Sequence, residues 1–141
     1  MISLRQGLLY ASMVCAVACG GDDGESDPAA DPGNGTIQIL LTEALADAPG
    51  REVRVLEVDY PPGGATPAHH HPGQIIAHVL QGAVMSGLDG AAPVRFAQGQ
   101  TWSEKQGQVH SVSRNASATE PAKLLVFFIT APGEPVLEPE E

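Results

Sequence analysis

Between residues 36 and 130, apolar side chains recur mostly at every second position, the period that turns one side of an extended chain toward a core. Ile37, Ile39 and Leu41 mark a strand over 36–42. Val53, Val55, Leu56, Val58 and Tyr60 mark a second over 52–60, and the change of apolar parity at Val55-Leu56 predicts a bulge or burial on both faces. A short apolar run over 75–81 is closed by Gly82. The stretches 83–88 and 94–97 flank an Asp89-Gly90 turn signal and predict a hairpin, because Asp-Gly accepts positive backbone φ. Further strands are expected over 101–104, 109–114 and 124–130. The breakers Pro61-Pro62-Gly63-Gly64, Pro72-Gly73 and Gly99 separate these runs, and only 43–49, ended by Pro49, suits a helical turn. Many short strands divided by Gly and Pro predict an all-β sandwich or barrel, in which closure pairs the sheet edges.

The flanks differ in kind. Arg5 is the only charge before Asp22, and Leu8 to Ala18 form an apolar run too short for a membrane span and suited to a signal core. The run ends Ala16-Val17-Ala18-Cys19, which resembles a bacterial lipobox, with Ala16 where Leu is usual. That resemblance implies lipidation of Cys19 and a lipoprotein held at the periplasm or cell envelope by acyl chains. Ala16-Val17-Ala18 also suits ordinary signal peptidase, which implies plain secretion, and an uncleaved buried helix is the third reading. The division expected is a signal over 1–18, an acidic tether over 19–35, a β-domain over 36–132 and a disordered acidic tail over 133–141. The tether and tail readings rest on Gly, Pro, Asp and Glu, which bury too little surface to offset chain entropy.

Composition narrows the function. The 141 residues are 43% hydrophobic and 17% charged, with a formal net charge of -10. One domain fits this length. The charge sits mostly at the ends, and the domain between holds eight acidic and six basic residues. Nucleic acid is excluded as a partner, because clustered Lys and Arg are needed to neutralise phosphates. No apolar run approaches the ~20 residues of a spanning helix. Both cysteines, Cys15 and Cys19, lie in the signal region, so Cys-based zinc sites and nucleophiles are excluded from the domain.

The candidate chemistry lies in the histidines. In a strand His69 and His71 look one way and His70 the other, and His110 is the obvious third donor from a distant strand. Three neutral imidazoles suit Fe, Mn, Zn, Ni or Cu and leave positions open for water or a small molecule. His78 is expected to face away from the interior. Trp102, Phe96, Phe127 and Phe128 are read as core, Arg95 and Arg114 as surface, and the sequon Asn115-Ala116-Ser117 as inert.

The surroundings of these histidines resemble the cupin superfamily. Its first motif, Gly, five residues, His-x-His and a later Gly, is matched by Gly63, His69, His71 and Gly82, and its second by Gly99, Gly107 and His110. The stretch from Ser113 to Leu124 is similar to a subgroup of small bacterial cupins. The resemblance covers about residues 50–132 and implies a single cupin, or double-stranded β-helix (jelly-roll), barrel. It also implies a divalent-metal site on His69, His71 and His110.

Three positions depart from the pattern. The glutamate that ligates metal in many cupins falls on Ile75 or Ile76, the second-motif Pro on Lys105, and the Asn on Arg114 with Asn115 one place later. Gln74 becomes the nearest candidate for a fourth ligand or a supporting hydrogen bond, and Glu104 a more distant one. No residue is singled out as catalytic. The fold is compatible with oxygenase, decarboxylase and isomerase chemistry, and equally with a non-enzymatic module that captures a small molecule or metal. Cupins commonly form homodimers, and the apolar strand from Leu124 to Ile129 is the expected contributor.

Overall fold

The computed structural model describes residues 35–141. The signal at 1–18, nearly all of the tether, Cys15 and Cys19 lie outside the described residues. The remainder is all-β, as expected. Eleven strands run in order: β1 (Thr36–Ala44), β2 (Glu52–Tyr60), β3 (Ala65–Thr66), β4 (His69–His70), β5 (Gln74–Gln81), β6 (Ala83–Leu88), β7 (Val94–Ala97), β8 (Thr101–Glu104), β9 (Val109–Asn115), β10 (Ala122–Thr130) and β11 (Glu138–Pro139). They form two antiparallel sheets, ordered β1-β2-β10-β5-β8 and β11-β4-β9-β6-β7, with β3 also on β9. This is the jelly-roll arrangement of a double-stranded β-helix.

The period-two pattern explains the core. Leu56, Val58 and Tyr60 of β2, Ile75, Ala77 and Val79 of β5, and Leu124, Val126 and Phe128 of β10 all turn inward and meet Val84 of β6. Each Val, Leu, Ile or Phe among them contributes about 1.5–3 kcal/mol on full burial. The parity change read at Val55-Leu56 reflects burial on both faces: β2 alternates without a bulge, and Val53 and Val55 are part-buried on the face opposite Leu56, Val58 and Tyr60. The β1–β2 register slips between Ile39 and Leu41, whereas β2 pairs with β10 without interruption.

Three expectations are corrected. Residues 43–49 form no helical turn: β1 continues to Ala44, and the loop closes through Leu45 N–H to Arg51 O at 3.0 Å. The apolar residues of β1 do not enter the core, because β1 is an edge strand with only β2 beside it. Ile37, Ile39, Leu40 and Leu41 stay 43–53% exposed. The strand from Leu124 to Ile129 is central in its sheet and presents Leu125, Phe127 and Ile129 on the outer face. Finally, the segment after residue 132 is no frayed tail. Arg54 Nη1 donates to Glu134 O at 2.6 Å, β11 pairs with β4, and Glu140 N–H donates to Ala68 O at 3.1 Å. Backbone groups of a Pro- and Glu-rich segment dock as well as any others once a sheet edge is available to pair with them.

Two local features place β9. The Asp89-Gly90 signal does shape the β6–β7 hairpin, with φ of 53° and 73°, although the connection runs from 89 to 93 rather than two residues. Asp89 then anchors the start of β9, accepting from Val109 N–H at 3.1 Å and Gln108 Nε2 at 2.8 Å. Beyond His110 the β6–β9 register slips by one, since Gly87 faces Val112 while Leu88 faces His110. The extra residue, Ser111, reverses the parity of β9, so His110, Ser113 and Asn115 are all buried and Arg114 is exposed. The slip accounts for the asparagine standing one place beyond the motif position. Asn115 Nδ2 donates to Pro61 O at 3.0 Å and Glu120 O at 2.7 Å, which ties the end of β2, β9 and the loop before β10 together and leaves the asparagine of the sequon buried.

Candidate metal centre

The three histidines meet inside the barrel. His69 lies opposite His110 across the β4–β9 pair, and His71 follows one residue beyond β4. Ring centroids are 4.8 Å apart for His69–His71 and 5.1 Å for His69–His110. All three are buried, and one ligand nitrogen from each falls within 4.8 Å of the others.

Neighbours fix the rings. His69 Nδ1 donates to Pro67 O at 2.7 Å, and His71 Nδ1 to Val136 O at 2.6 Å. A carbonyl only accepts, so each Nδ1 carries the proton and each neutral ring keeps a lone pair on Nε2. This is the usual support of a metal-binding histidine. His110 Nε2 lies 2.9 Å from Ser86 Oγ, a hydroxyl that can accept its proton and so leave the lone pair on Nδ1, which lies 3.2 Å from Glu104 Oε1. Burial lowers the pKa of both His69 and His71 from the ordinary histidine range; their backbone hydrogen bonds oppose this only in part.

Glu104 is the acid of the site, 2% exposed on β8. Its Oε1 accepts from Trp102 Nε1 at 3.0 Å. Its Oε2 lies 3.6 Å from His71 Nε2 and has no hydrogen-bond partner. Burial alone raises the carboxyl's pKa, but His110, Trp102 and His71 together more than offset it and hold the group below the ordinary glutamate range. An unpaired buried carboxylate oxygen beside lone-pair nitrogens fits a divalent cation by the chemistry of its donors.

The other candidates fall outside this cluster. Gln74 is exposed, because alternation along β5 puts Ile75 inside and turns Gln74 out; it is not a neighbour of the histidines. His70 points outward and meets Glu138 and Glu140 at 2.8 Å each, which raises its pKa. His78 also faces outward and bonds Thr101 Oγ1 at 2.9 Å. Arg95 and Arg114 are exposed, Phe128 is fully buried in the core, and Phe127 is 37% exposed on the outer face. Trp102 lines the cavity and stacks on Phe96 at 4.7 Å.

The cavity in front of the histidines has apolar walls from Leu56, Val58, Ile75, Ala77, Leu124 and Val126. Val136 and Leu137 close one side. Its polar features beyond the cluster are three linked hydroxyls: Tyr60 OH lies 2.7 Å from Thr66 Oγ1 and 2.8 Å from Ser113 Oγ. Sequence reasoning did not single out Tyr60, Ser86, Ser113 or Val136. Tyr60 does carry a signal, the inward parity it shares with Leu56 and Val58. Ser113 carries none before the Ser111 slip is known.

Comparison with known proteins agrees with this architecture. Among solved structures, the DMSP lyase DddQ from Ruegeria pomeroyi DSS-3 is similar at 22% identity and a TM-score of 0.60, over 75% of this chain and 51% of the lyase. The chain therefore spans about half of that enzyme. A cupin-like protein from Thermotoga maritima is similar at 20% identity and a TM-score of 0.60, over 77% of each chain. An oxalate oxidase is similar at 24% identity and a TM-score of 0.55, over 73% of this chain and 57% of the oxidase. No curated protein matches the sequence. The family described as Cupin domain matches residues 56–128, from the inward side of β2 through the histidines to Phe128. By that match and by its fold, the chain belongs to the cupin domain family.

Proposed function

We propose that this cupin binds one divalent transition metal, from among Fe, Mn, Zn, Ni and Cu, through His69, His71 and His110, and presents it to a small oxygen-bearing molecule. The observation that carries the reading is the convergence of three buried imidazoles, with their ligand nitrogens within 4.8 Å. When bound, such an ion supplies Lewis acidity and, for the redox-active members, electron transfer. The chain's own residues do the rest. Pro67 O and Val136 O hold the rings in one tautomer, the apolar walls exclude bulk water, and the Tyr60–Ser113 hydroxyls can orient a ligand oxygen.

An oxygenase or isomerase type of enzyme is the reading preferred. Two of the similar structures are, by name, a lyase and an oxidase, which supports an enzyme. A specific observation favours the alternative, a binding module without catalysis: among the described residues Glu104 is the only carboxylate lining the cavity, and apart from the three histidines and the Tyr60 phenol no other titratable group lines it.

Elemental analysis of the purified protein tests the site. One metal per chain is expected, lost in the His69→Ala/His71→Ala double variant while its circular dichroism remains β-rich. Metal retained in that variant would place the ligands elsewhere. Oxygen uptake on any substrate by the Fe- or Mn-loaded protein then separates enzyme from passive module.

The same reading puts the protein outside the cytoplasm, anchored through lipid on Cys19 or secreted. The lipobox-like ending Ala16-Val17-Ala18-Cys19 supports it. Labelled palmitate should be incorporated by the native chain and not by Cys19→Ser. A homodimer is part of the proposal, with the exposed apolar edge of β1 as the surface a second copy would cover. Light scattering at micromolar concentration tests this, and a strict monomer would remove the dimer.

A further inference from the structure

The position where the first cupin motif carries its glutamate is occupied here by Ile75, 2% exposed and turned into the barrel. Ile75 lies directly opposite Glu104 in the antiparallel β5–β8 register. Residues paired in this way project to the same face, with Cβ atoms about 4.5–5.5 Å apart. A carboxylate on β8 therefore enters the same interior that the motif would supply from β5.

The two oxygens of Glu104 are not equivalent. Oε1 has Trp102 Nε1 at 3.0 Å and His110 Nδ1 at 3.2 Å. Oε2 has only His71 Nε2, at 3.6 Å. The proton of His71 is committed to Val136 O, so Nε2 and Oε2 face each other as two lone-pair atoms in a buried space. A proton between them is a poor solution, since 3.6 Å is longer than an N–H···O bond. A cation held by both atoms satisfies them together, and leaving them unpaired is costly away from water.

We propose that Glu104 is the fourth protein ligand, through Oε2, and that in this chain the acidic ligand has moved from β5 to its cross-strand neighbour on β8. The inference rests on the three-histidine reading given above. It makes the ligand set three imidazoles and one carboxylate, which offsets one of the two charges of a divalent ion and adds an oxygen donor suited to Mn(II) and Fe(II).

Titration of the full-length protein with Co(II), against a chelator of known affinity, tests it. Glu104→Gln keeps an oxygen for Trp102 while removing the charge. Its affinity should fall about tenfold to a hundredfold, the range seen when even supporting groups around a metal are removed. Its Co(II) visible absorption bands should change in position and intensity, which a merely structural role would not cause. Glu104→Asp provides the same readout if the amide variant does not fold, since it draws the oxygen back by one methylene. Wild-type affinity and spectrum in a folded Gln or Asp variant, alongside abolished binding in His69→Ala/His71→Ala, would overturn this assignment alone. Absence of Co(II) binding in the native protein would overturn it together with the three-histidine site.

Discussion

His71 Nδ1 donates to Val136 O at 2.6 Å across 65 residues of sequence, so a segment rich in proline and acid holds the orientation of a central imidazole. Deleting residues 134–141 removes that acceptor, the Arg54–Glu134 bond and the β11–β4 pairing together. Metal affinity is expected to fall about tenfold to a hundredfold, as for other groups that orient metal-binding histidines. Chelator competition measures the change, and an unchanged affinity would show that the ring is held well enough without Val136.

Gly73 follows His71 by two residues and sits against β10. A Cβ there would lie 2.3 Å from Ile129 O and 2.7 Å from the Phe128 ring. The carbonyl belongs to a central strand and cannot move aside without disturbing both neighbouring strands. Gly73→Ala is expected to cost about 1–3 kcal/mol, the range for overpacking a close-fitted core. Urea denaturation gives the value; a loss below the scatter of the wild-type curve would mean that the 71–74 link yields easily.

Phe128 is fully buried beside His71, with ring centroids 6.0 Å apart. Phe128→Ala is expected to destabilise the fold by about 3–5 kcal/mol. Phe127→Ala, one residue away on the outer face, should cost much less. Comparable losses in the two variants would contradict the inward–outward alternation of β10.

Burial raises the pKa of the Tyr60 phenol above its ordinary 10.0, and the hydrogen bonds with Ser113 and Thr66 oppose this incompletely. The fold therefore keeps the phenol neutral at pH values where the unfolded chain gives up the proton. The stability linked to Tyr60 is fully present below about pH 10 and is lost as pH rises toward the folded pKa. Denaturant midpoints measured from about pH 8 to about pH 11.5 should decline at the alkaline end, and less steeply in Tyr60→Phe. The variant should also be weaker at neutral pH by about 1 kcal/mol for each hydrogen bond that the phenol makes with Ser113 and Thr66. Identical alkaline profiles for the two proteins would assign the decline to other groups.

His70 stands between two metal-site candidates in sequence yet faces Glu138 and Glu140. His70→Ala should leave metal stoichiometry intact and speed amide hydrogen exchange over 137–140. A metal-free variant would show that the outward side of β4 also governs the inner face.

Much of this fold was legible because its strands alternate: β2, β6, β7 and β8 coincide with the runs read from the sequence. Alternation is a local property, and so is the sharing of a face by His69 and His71. What lay beyond reach was register. Nothing within 101–104 reveals that Glu104 stands opposite Ile75, because that pairing is set by the β5–β8 contact. The same holds for Ser111, whose insertion decides whether Ser113 or Arg114 faces inward. The tail was misread because its composition lacks a core-forming pattern, whereas its order comes from backbone hydrogen bonds and from Val136 and Leu137 against the cavity. Gln74 was the nearest polar residue along the chain but not the nearest in space.

The long reach from His71 to Val136 also sets an order of events. On the ribosome, residues 69, 71 and 110 are joined to the chain before residue 136 has been added, so the imidazoles exist for a time without the carbonyl that orients one of them. The finished geometry belongs only to a chain synthesised past that point. An export channel that passes the polypeptide unfolded would postpone it further, to the far side of the membrane. The ion first held in the finished geometry would then be drawn from the medium outside, and the metal content of that medium, rather than of the cytosol, would decide which ion the protein carries.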